Sequence, residues 1–437
     1  MLRFGTDGVR GDAEADLTDE FVIALGRAAA RVLGTEFLVA RDTRASGPRL
    51  EDALCRGLAS EGANVVALGV LSTPGVAYLA QRDRAAAAVI SASHNVWTDN
   101  GVKLLATGGL KLPDETETAI EATLEAVLAG GSAADDATWV HTDGAADYVA
   151  HVVAALEGRT LDGLKVVVDC ANGAAYDVGP RVFRAAGADV VVMHAAPDGR
   201  NINADCGSMF PAGLQAAVRA QDADLGLALD GDADRVIAVD ETGAIVDGDQ
   251  IMTALALDLH ARQRLRNDAI AVTVMSNLGL RRALTGAGIA VVETPVGDRN
   301  VLAALAEHDL GLGGEQSGHV ILRDLATTGD GVLTGLMLTD LVRRSGAPLS
   351  TTAGLMQRFP QVLVNVPVGR AADLDGAGPL RAEIAAIEQE LGERGRVLVR
   401  ASGTEPLVRV MVEAATDVEA RAAVDRLRHA VEDAFGA

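Results

Sequence analysis

Residues 164–194 read LKVVVDCANGAAYDVGPRVFRAAGADVVVMH. A β-branched run, Val166 to Val168, stops at Asp169 in a polar, glycine-bearing turn. The stretch GPRVFRAAG then ends in Gly187, and a second valine run leads to His194. Strand, turn, amphipathic helix and strand in that order make a right-handed βαβ unit with parallel strands. The plan recurs twice. FLVARDTR, LEDALCRGLASEG and ANVVALGV occupy residues 37–70, and AIAVTVMSN, LGLRRALTGAG and IAVVETPVGD occupy 269–298. The copies begin more than a hundred residues apart, so they read as homologous domains and not as a solenoid. Near residue 367 the pattern changes to VNVPV, a polar helix over 380–392, a hairpin, and a closing helix over 416–434. VGRAADLDGAG, at 368–378, reads as a linker. The expected fold is α/β: three homologous α/β domains with mixed, largely parallel sheets, plus a smaller C-terminal α+β domain, around a central cleft. The boundaries fall at 1–150, 151–250, 251–366 and 367–437.

Composition agrees with several cores. The chain has 437 residues, 49% of them hydrophobic but only 3% aromatic, so Ala, Val and Leu must fill the interior. Its formal charge of −23 argues against a nucleic-acid or anionic-membrane partner and requires a local arginine cluster for any anionic substrate. The acidic N-terminus lacks the apolar core of a secretory signal, and no apolar run is long enough to span a bilayer. Cys55, Cys170 and Cys206 show no metal spacing. A cytoplasmic protein is expected.

Four loops carry the chemistry. The first is SASHNVWTDNGVKLL, 91–105, which follows a short apolar strand and so places Ser93 at a strand's carboxyl end, where open α/β sheets bind ligands. Ser93 can be a nucleophile or carry a transferred group. His94 and Lys103, one of only three lysines, are proton-transfer candidates beside it. The second is LGLALDGDADR, 225–235. If its backbone is extended, Asp230, Asp232 and Asp234 share a face, with Ala233 at negative φ. Three carboxylates together repel unless a cation or a set of donors offsets them; hard oxygen ligands suit Mg²⁺, and a solvated acidic turn is the alternative. An EF-hand is excluded because Arg235 stands where that loop requires glycine. The third is RASGTEPLVR, 400–409, where Arg400, Ser402, Gly403, Thr404 and Arg409 make a phosphate cradle. The fourth is GLGGEQSGHVIL, 311–322, whose Glu315, Gln316, Ser317 and His319 offer hydrogen bonds to vicinal sugar hydroxyls or an amine.

Taken in this order, the four loops resemble those of the α-D-phosphohexomutase superfamily over essentially the whole chain. FGTDGVRG at 4–11, NINADCGS at 201–208, TVMSNLGL at 273–280 and TTGDG at 327–331 strengthen the likeness, and Gln316 points to its amino-sugar branch. Val96, Trp97 and Ala233 depart from the family's usual residues. The resemblance implies an isomerase-class enzyme carrying phosphoserine at Ser93, with Mg²⁺ bound by Ser93's phosphate, Asp230, Asp232 and Asp234. Arg10 would orient the transferring group. Glu315, Ser317, His319 and Arg235 would bind the sugar. Glucosamine 6-phosphate and glucosamine 1-phosphate would interconvert through a 1,6-bisphosphate, which also serves as activator, feeding cell-wall synthesis. The expected partner is a small sugar phosphate, and a homodimer is compatible with the likeness. A phosphomannomutase or phosphoglucomutase, or a magnesium-dependent sugar phosphatase, stays open as an alternative.

Overall fold

A computed structural model describes residues 3–5, 8–130, 137–369, 374, 376–401 and 406–436. Residues 402–405, part of the expected phosphate loop, lie outside this set, as do Thr6, Asp7 and part of the 368–378 linker. The chain divides into two compact units, one of residues 1–275 and 288–355, the other of 276–287 and 356–437.

Among the described residues, the first unit is built on three sheets. In the first sheet, Glu36–Arg41 lies between Asn64–Val70 and Ala86–Ile90, all parallel. Asp99–Ala106 then adds antiparallel to Ala86–Ile90, and Val9–Asp12 adds antiparallel to Asp99–Ala106. The second sheet runs Asp189–Met193, Lys165–Asp169 and Leu225–Leu229 in parallel, with Val236–Asp240 antiparallel beside the last. The third pairs Ala290–Thr294, Ala269–Thr273 and Leu312–Gly314 in parallel, with Val320–Leu322 antiparallel. Each sheet is thus parallel at its centre, as the repeats require, and carries antiparallel strands toward one edge. Of those strands, Asp99–Ala106, Val236–Asp240 and Val320–Leu322 come directly after the serine turn, the aspartate turn and the GEQSGH loop.

Small residues fill the core, as the scarcity of aromatics demands. Helices Asp19–Leu33 and Gly47–Ser60 pack so closely that a Cβ at Gly26 would come 2.6 Å from the Leu54 carbonyl, and one at Gly57 2.2 Å from that of Ile23. The second helix begins before the expected LEDALC segment because Pro48 sits in its first turn, where a missing N–H costs nothing.

Helix Gly331–Ser345 begins at a buried carboxylate. Its N-cap Asp330 accepts from Leu333 N at 2.9 Å, and the buried Tyr148 hydroxyl donates to the same carboxylate at 2.9 Å. Burial raises Asp330 from 3.8 to about 6. The folded state therefore holds a proton that the unfolded chain releases, and stability falls as pH rises from about 4 to about 6. Asp330→Asn keeps both acceptor roles and should remove this slope, worth up to about 3 kcal/mol. Melting midpoints of both proteins at pH 4.5 and 7.5 check this. A wild-type disadvantage that does not grow with pH contradicts it.

The second unit has an antiparallel sheet with Leu407–Glu413 between Gln361–Pro367 and Arg396–Ala401. Helices Gly378–Leu391 and Asp417–Phe435 share its apolar core, which includes Leu380, Val410, Leu427 and Val431. This is the α+β pattern read from the sequence. The helix Leu278–Gly286 belongs to this unit although its sequence neighbours belong to the first.

Candidate active site

Strand Ala86–Ile90 is buried along its whole length, and the chain turns immediately after it. Ser93 stands there at φ +49°, a left-handed conformation that non-glycine residues rarely adopt. Such strain persists only where the surroundings impose it. Here the restraints are explicit. Ser93 N donates to Ser91 Oγ at 3.0 Å, and the Ser93 carbonyl accepts from Arg44 Nη2 and Asn203 Nδ2, each at 2.9 Å. The same two side chains also reach the Asn95 carbonyl. Arg44 is itself fully buried and ion-paired to Asp42 at 2.8 Å, and Asp42 accepts from Ser91 at 2.6 Å.

This clamp aims the hydroxyl. Ser93 Oγ donates to Asp230 Oδ2 at 2.6 Å and lies 3.2 Å from His94 Nδ1. Burial, together with Arg235 and Arg10, pushes His94 below the ordinary imidazole range, so its ring is neutral near pH 7. That suits a proton acceptor. Arg10 lies on strand Val9–Asp12, directly opposite Gly101. Lys103 belongs to strand Asp99–Ala106 and not to the loop, so its place is fixed by sheet register. Its ammonium lies 3.2 Å from Asp232 and 3.1 Å from Asp234.

The aspartates converge by a route that alternation along an extended strand does not describe. Residues 230–235 form the turn of a hairpin between Leu225–Leu229 and Val236–Asp240, not an extended segment. Ala233 has φ +59°, contrary to the expected negative value. An alanine in that region carries a penalty of about 1–2 kcal/mol that glycine would not. The turn is held because Gly331 N donates to the Ala233 carbonyl at 3.0 Å and Arg235 N to Asp230 Oδ1 at 3.1 Å. Oxygens of Asp230, Asp232 and Asp234 lie within 4.8 Å of one another. Burial and the other two aspartates push Asp230 well above the usual carboxylate range. Burial acts the same way on Asp234, but Lys103 and His319 outweigh it and hold it well below. Oδ1 of Asp232 and Oδ1 of Asp234 are buried without a hydrogen bond. Buried acceptors left so in a cluster of three carboxylates fit a hard divalent cation.

Three residues of this site were not singled out from sequence. Arg44 and Asn203 hold the serine loop. Thr73 donates its hydroxyl to Asp232 Oδ2 at 2.6 Å and its N–H to the Asp232 carbonyl at 3.0 Å. All three follow a strand's carboxyl end, Arg44 in DTR, Thr73 in STPG and Asn203 in NINAD, a position that could have flagged them.

The GEQSGH loop packs onto the metal loop's hairpin. Val236 N donates to the Gly318 carbonyl at 3.1 Å. A Cβ on Gly318, at φ +91°, would come 2.1 Å from the Val236 carbonyl, so only glycine fits. Gln316 is an anchor: its carbonyl accepts from Gly248 N at 3.0 Å and its amide reaches Asp247 at 3.4 Å. Glu315 Oε1 accepts from Gly297 N, and Ser317 is exposed. His319 is buried, 3.6 Å from Asp234, with Nε2 accepting from Gly329 N at 3.2 Å. That backbone donor leaves the ring proton on Nδ1, facing Asp234. His319 thus faces the aspartate turn. Arg235 lies 3.4 Å from His94 and 3.7 Å from Asp234.

In the C-terminal unit, Arg400 and Arg409 stand directly opposite on neighbouring strands. Burial and the Arg409 charge lower Arg400 from its ordinary value. Like charges in register are unfavourable. Ser402, Gly403 and Thr404 lie outside the described residues.

Sequence profiles of the phosphoglucomutase/phosphomannomutase family match in order: domain I over residues 1–129, domain II over 146–243, domain III over 247–359 and the C-terminal domain over 363–430. The chain belongs to this family. Among phosphohexomutases it is similar to the phosphoglucosamine mutase of Salinispora tropica, 52% identical with 99% of this chain and 98% of the relative covered. The phosphoglucosamine mutase of Symbiobacterium thermophilum is also 52% identical, with 94% of each chain covered. A crystal structure of a Burkholderia thailandensis phosphoglucomutase/phosphomannomutase family protein superposes with TM-score 0.82 at 26% identity, covering 98% of this chain and 97% of that one. No helix among the described residues is long and apolar enough to cross a membrane.

Proposed function

We propose that this phosphohexomutase interconverts glucosamine 6-phosphate and glucosamine 1-phosphate through phospho-Ser93. The observation that carries the chemistry is the Ser93 hydroxyl, 2.6 Å from one of three buried, clustered aspartates. The sugar rests on relatives about half identical over nearly full length that bear the phosphoglucosamine mutase name.

Asp230, Asp232 and Asp234 would hold Mg²⁺ with a phosphate oxygen on Ser93. The ion supplies charge neutralisation at the transferring group. The chain's own residues do the rest. Arg44 and Asn203 fix the Ser93 backbone. The bond from Ser93 Oγ to phosphorus breaks as the sugar hydroxyl oxygen forms its own; the hydroxyl proton passes to a neighbouring base, for which His94, or Lys103 in its neutral amine form, is the candidate, and Ser93 Oγ takes up a proton as it leaves. Arg10 orients the phosphoryl group. The resulting 1,6-bisphosphate turns over, and its other phosphate returns to Ser93. Glu315 and Ser317 contact the ring, and an acceptor such as Glu315 tolerates either orientation. Arg400 and Arg409 are assigned the phosphate that is not reacting, with Ser402, Gly403 and Thr404. The enzyme works on a small sugar phosphate in the cytoplasm.

Values of kcat/KM for the 6-phosphates of glucosamine, glucose and mannose test the sugar. The amino sugar should lead by about 1–3 kcal/mol, a factor of roughly 5 to 150. A higher value for glucose or mannose overturns the amino-sugar reading and leaves the mutase chemistry standing. Gln316→Met should narrow the gap, since it removes the amide that ties the sugar loop to Asp247. An Arg409→Ala variant should weaken both glucosamine phosphates alike, by about 2–5 kcal/mol each. Loss for only one of them, read by competition binding, removes the shared-cradle assignment.

A further inference from the structure

A second cluster of metal-binding side chains lies outside the aspartate turn. Parallel strands Lys165–Asp169 and Asp189–Met193 end side by side, which puts Asp169 and His194 next to each other. The loop that follows brings Cys206 to the same place. His194 Nδ1 is 3.0 Å from Asp169 Oδ1, and one donor atom from each of the three residues lies within 4.8 Å of the others. We propose that Asp169, His194 and Cys206 form a second metal site, selective for a thiophilic divalent cation such as Zn²⁺.

Three features support this beyond proximity. First, His194 Nδ1 is buried without a well-formed hydrogen bond although its ring is a third exposed, so the nitrogen turns inward while the ring remains reachable. Second, the donor set is mixed. One thiolate, one imidazole and one carboxylate suit Zn²⁺, whereas Mg²⁺ takes oxygen. Tetrahedral zinc with bonds of about 2.0–2.3 Å sets its ligand atoms about 3.5 Å apart. The His194–Asp169 pair, 3.0 Å apart, is already at that range and the other pairs lie within 4.8 Å, so small side-chain adjustments meet it, and water completes the fourth position. Third, Asp169 is already held in place, because Ala171 N donates to Oδ1 at 2.9 Å and Gly207 N to Oδ2 at 3.0 Å. Metal-ligating carboxylates are commonly oriented by such outer hydrogen bonds. A nucleophilic role for the thiol does not fit, since burial beside Asp169 and Asp205 pushes Cys206 up to about 12.

The site is connected to the serine loop. Asn203 precedes Cys206 by three residues, and its amide holds the Ser93 carbonyl while its N–H donates to the Ala171 carbonyl at 2.9 Å. An ion at Cys206 therefore binds the stretch of chain that positions Ser93.

Co²⁺ titration of the full-length protein tests the proposal, read by the thiolate-to-cobalt charge-transfer absorption in the near ultraviolet. Wild type should develop this band with about one equivalent of Co²⁺, as should Asp230→Asn, which impairs the hard-oxygen site. Zn²⁺ should bleach the band, and excess Mg²⁺ should not. Cys206→Ser should abolish it, and His194→Ala should weaken Co²⁺ binding at least about 10-fold. No band in wild type, bleaching by Mg²⁺, or a band that survives Cys206→Ser overturns the assignment. Should Cys206→Ser fail to fold by circular dichroism, the partly exposed His194 decides: unchanged Co²⁺ affinity in His194→Ala overturns it too.

Discussion

Ser93→Ala should lose about 10³-fold or more in kcat, because removing the group that carries the phosphoryl moiety removes the covalent step itself. The substitution is otherwise mild. Ser93 is almost fully buried, alanine fills slightly less volume, and the left-handed backbone at φ +49° is imposed through N–H and carbonyl hydrogen bonds that alanine retains. The variant should therefore keep wild-type circular dichroism and lose only about 1–3 kcal/mol of stability, for the donor removed from Asp230, while losing both turnover and the phosphopeptide that contains residue 93. Near-wild-type turnover would move the phosphate carrier elsewhere. Loss of turnover with a collapsed melting temperature would leave the chemical assignment without support, which is why stability is measured alongside rate.

The second large effect is expected at the aspartates. Asp232→Asn removes one charge from a buried cluster and weakens the contact with Lys103, while its amide oxygen still accepts from Thr73. Removing outer-sphere partners of a metal costs about 10–100-fold in affinity or activity, so removing a ligand should cost about 10²-fold or more. Calorimetric titration with Mg²⁺ should show weak binding to dephosphorylated wild type, tighter binding to the phosphorylated form, and little to Asp232→Asn in either form. Equal affinity in the two wild-type forms would contradict a bridging role for the phosphate. Unchanged affinity in Asp232→Asn would remove Asp232 from the ligand set.

Much of this was legible in the chain because it is local. Valine runs, turn residues and amphipathic stretches recur three times, and each pattern is set by backbone periodicity within about thirty residues. That specified the parallel sheet centres and the α+β C-terminal pattern. The strand-end rule likewise placed Ser93 after Ala86–Ile90, since a buried strand must stop where its polar loop begins. The residue types of the four loops were enough to suggest serine chemistry, a hard cation and phosphate binding.

Convergence was another matter. That Asp230, Asp232 and Asp234 meet through a hairpin turn with Ala233 at φ +59° could not follow from an alternation rule that assumes extended backbone. Arg44, Thr73 and Asn203 come from three separate loops, and only the order and spacing of the strands bring Arg44 and Asn203 to one carbonyl and Thr73 to Asp232. For His319 the sequence offered a sugar-loop position through the family resemblance and no sign of its partners. The fold sets its Nε2 against Gly329 N and its Nδ1 3.6 Å from Asp234. Asp169, His194 and Cys206 show no metal spacing in sequence because their proximity is made by strand pairing and one returning loop. Local residue order specified which elements form and which chemistries the loops can support. Which side chains share a site was settled by sheet register, close backbone approach and burial, and the hydrogen bonds that join the serine loop to Asp230 and Asn203 link residues more than a hundred positions apart.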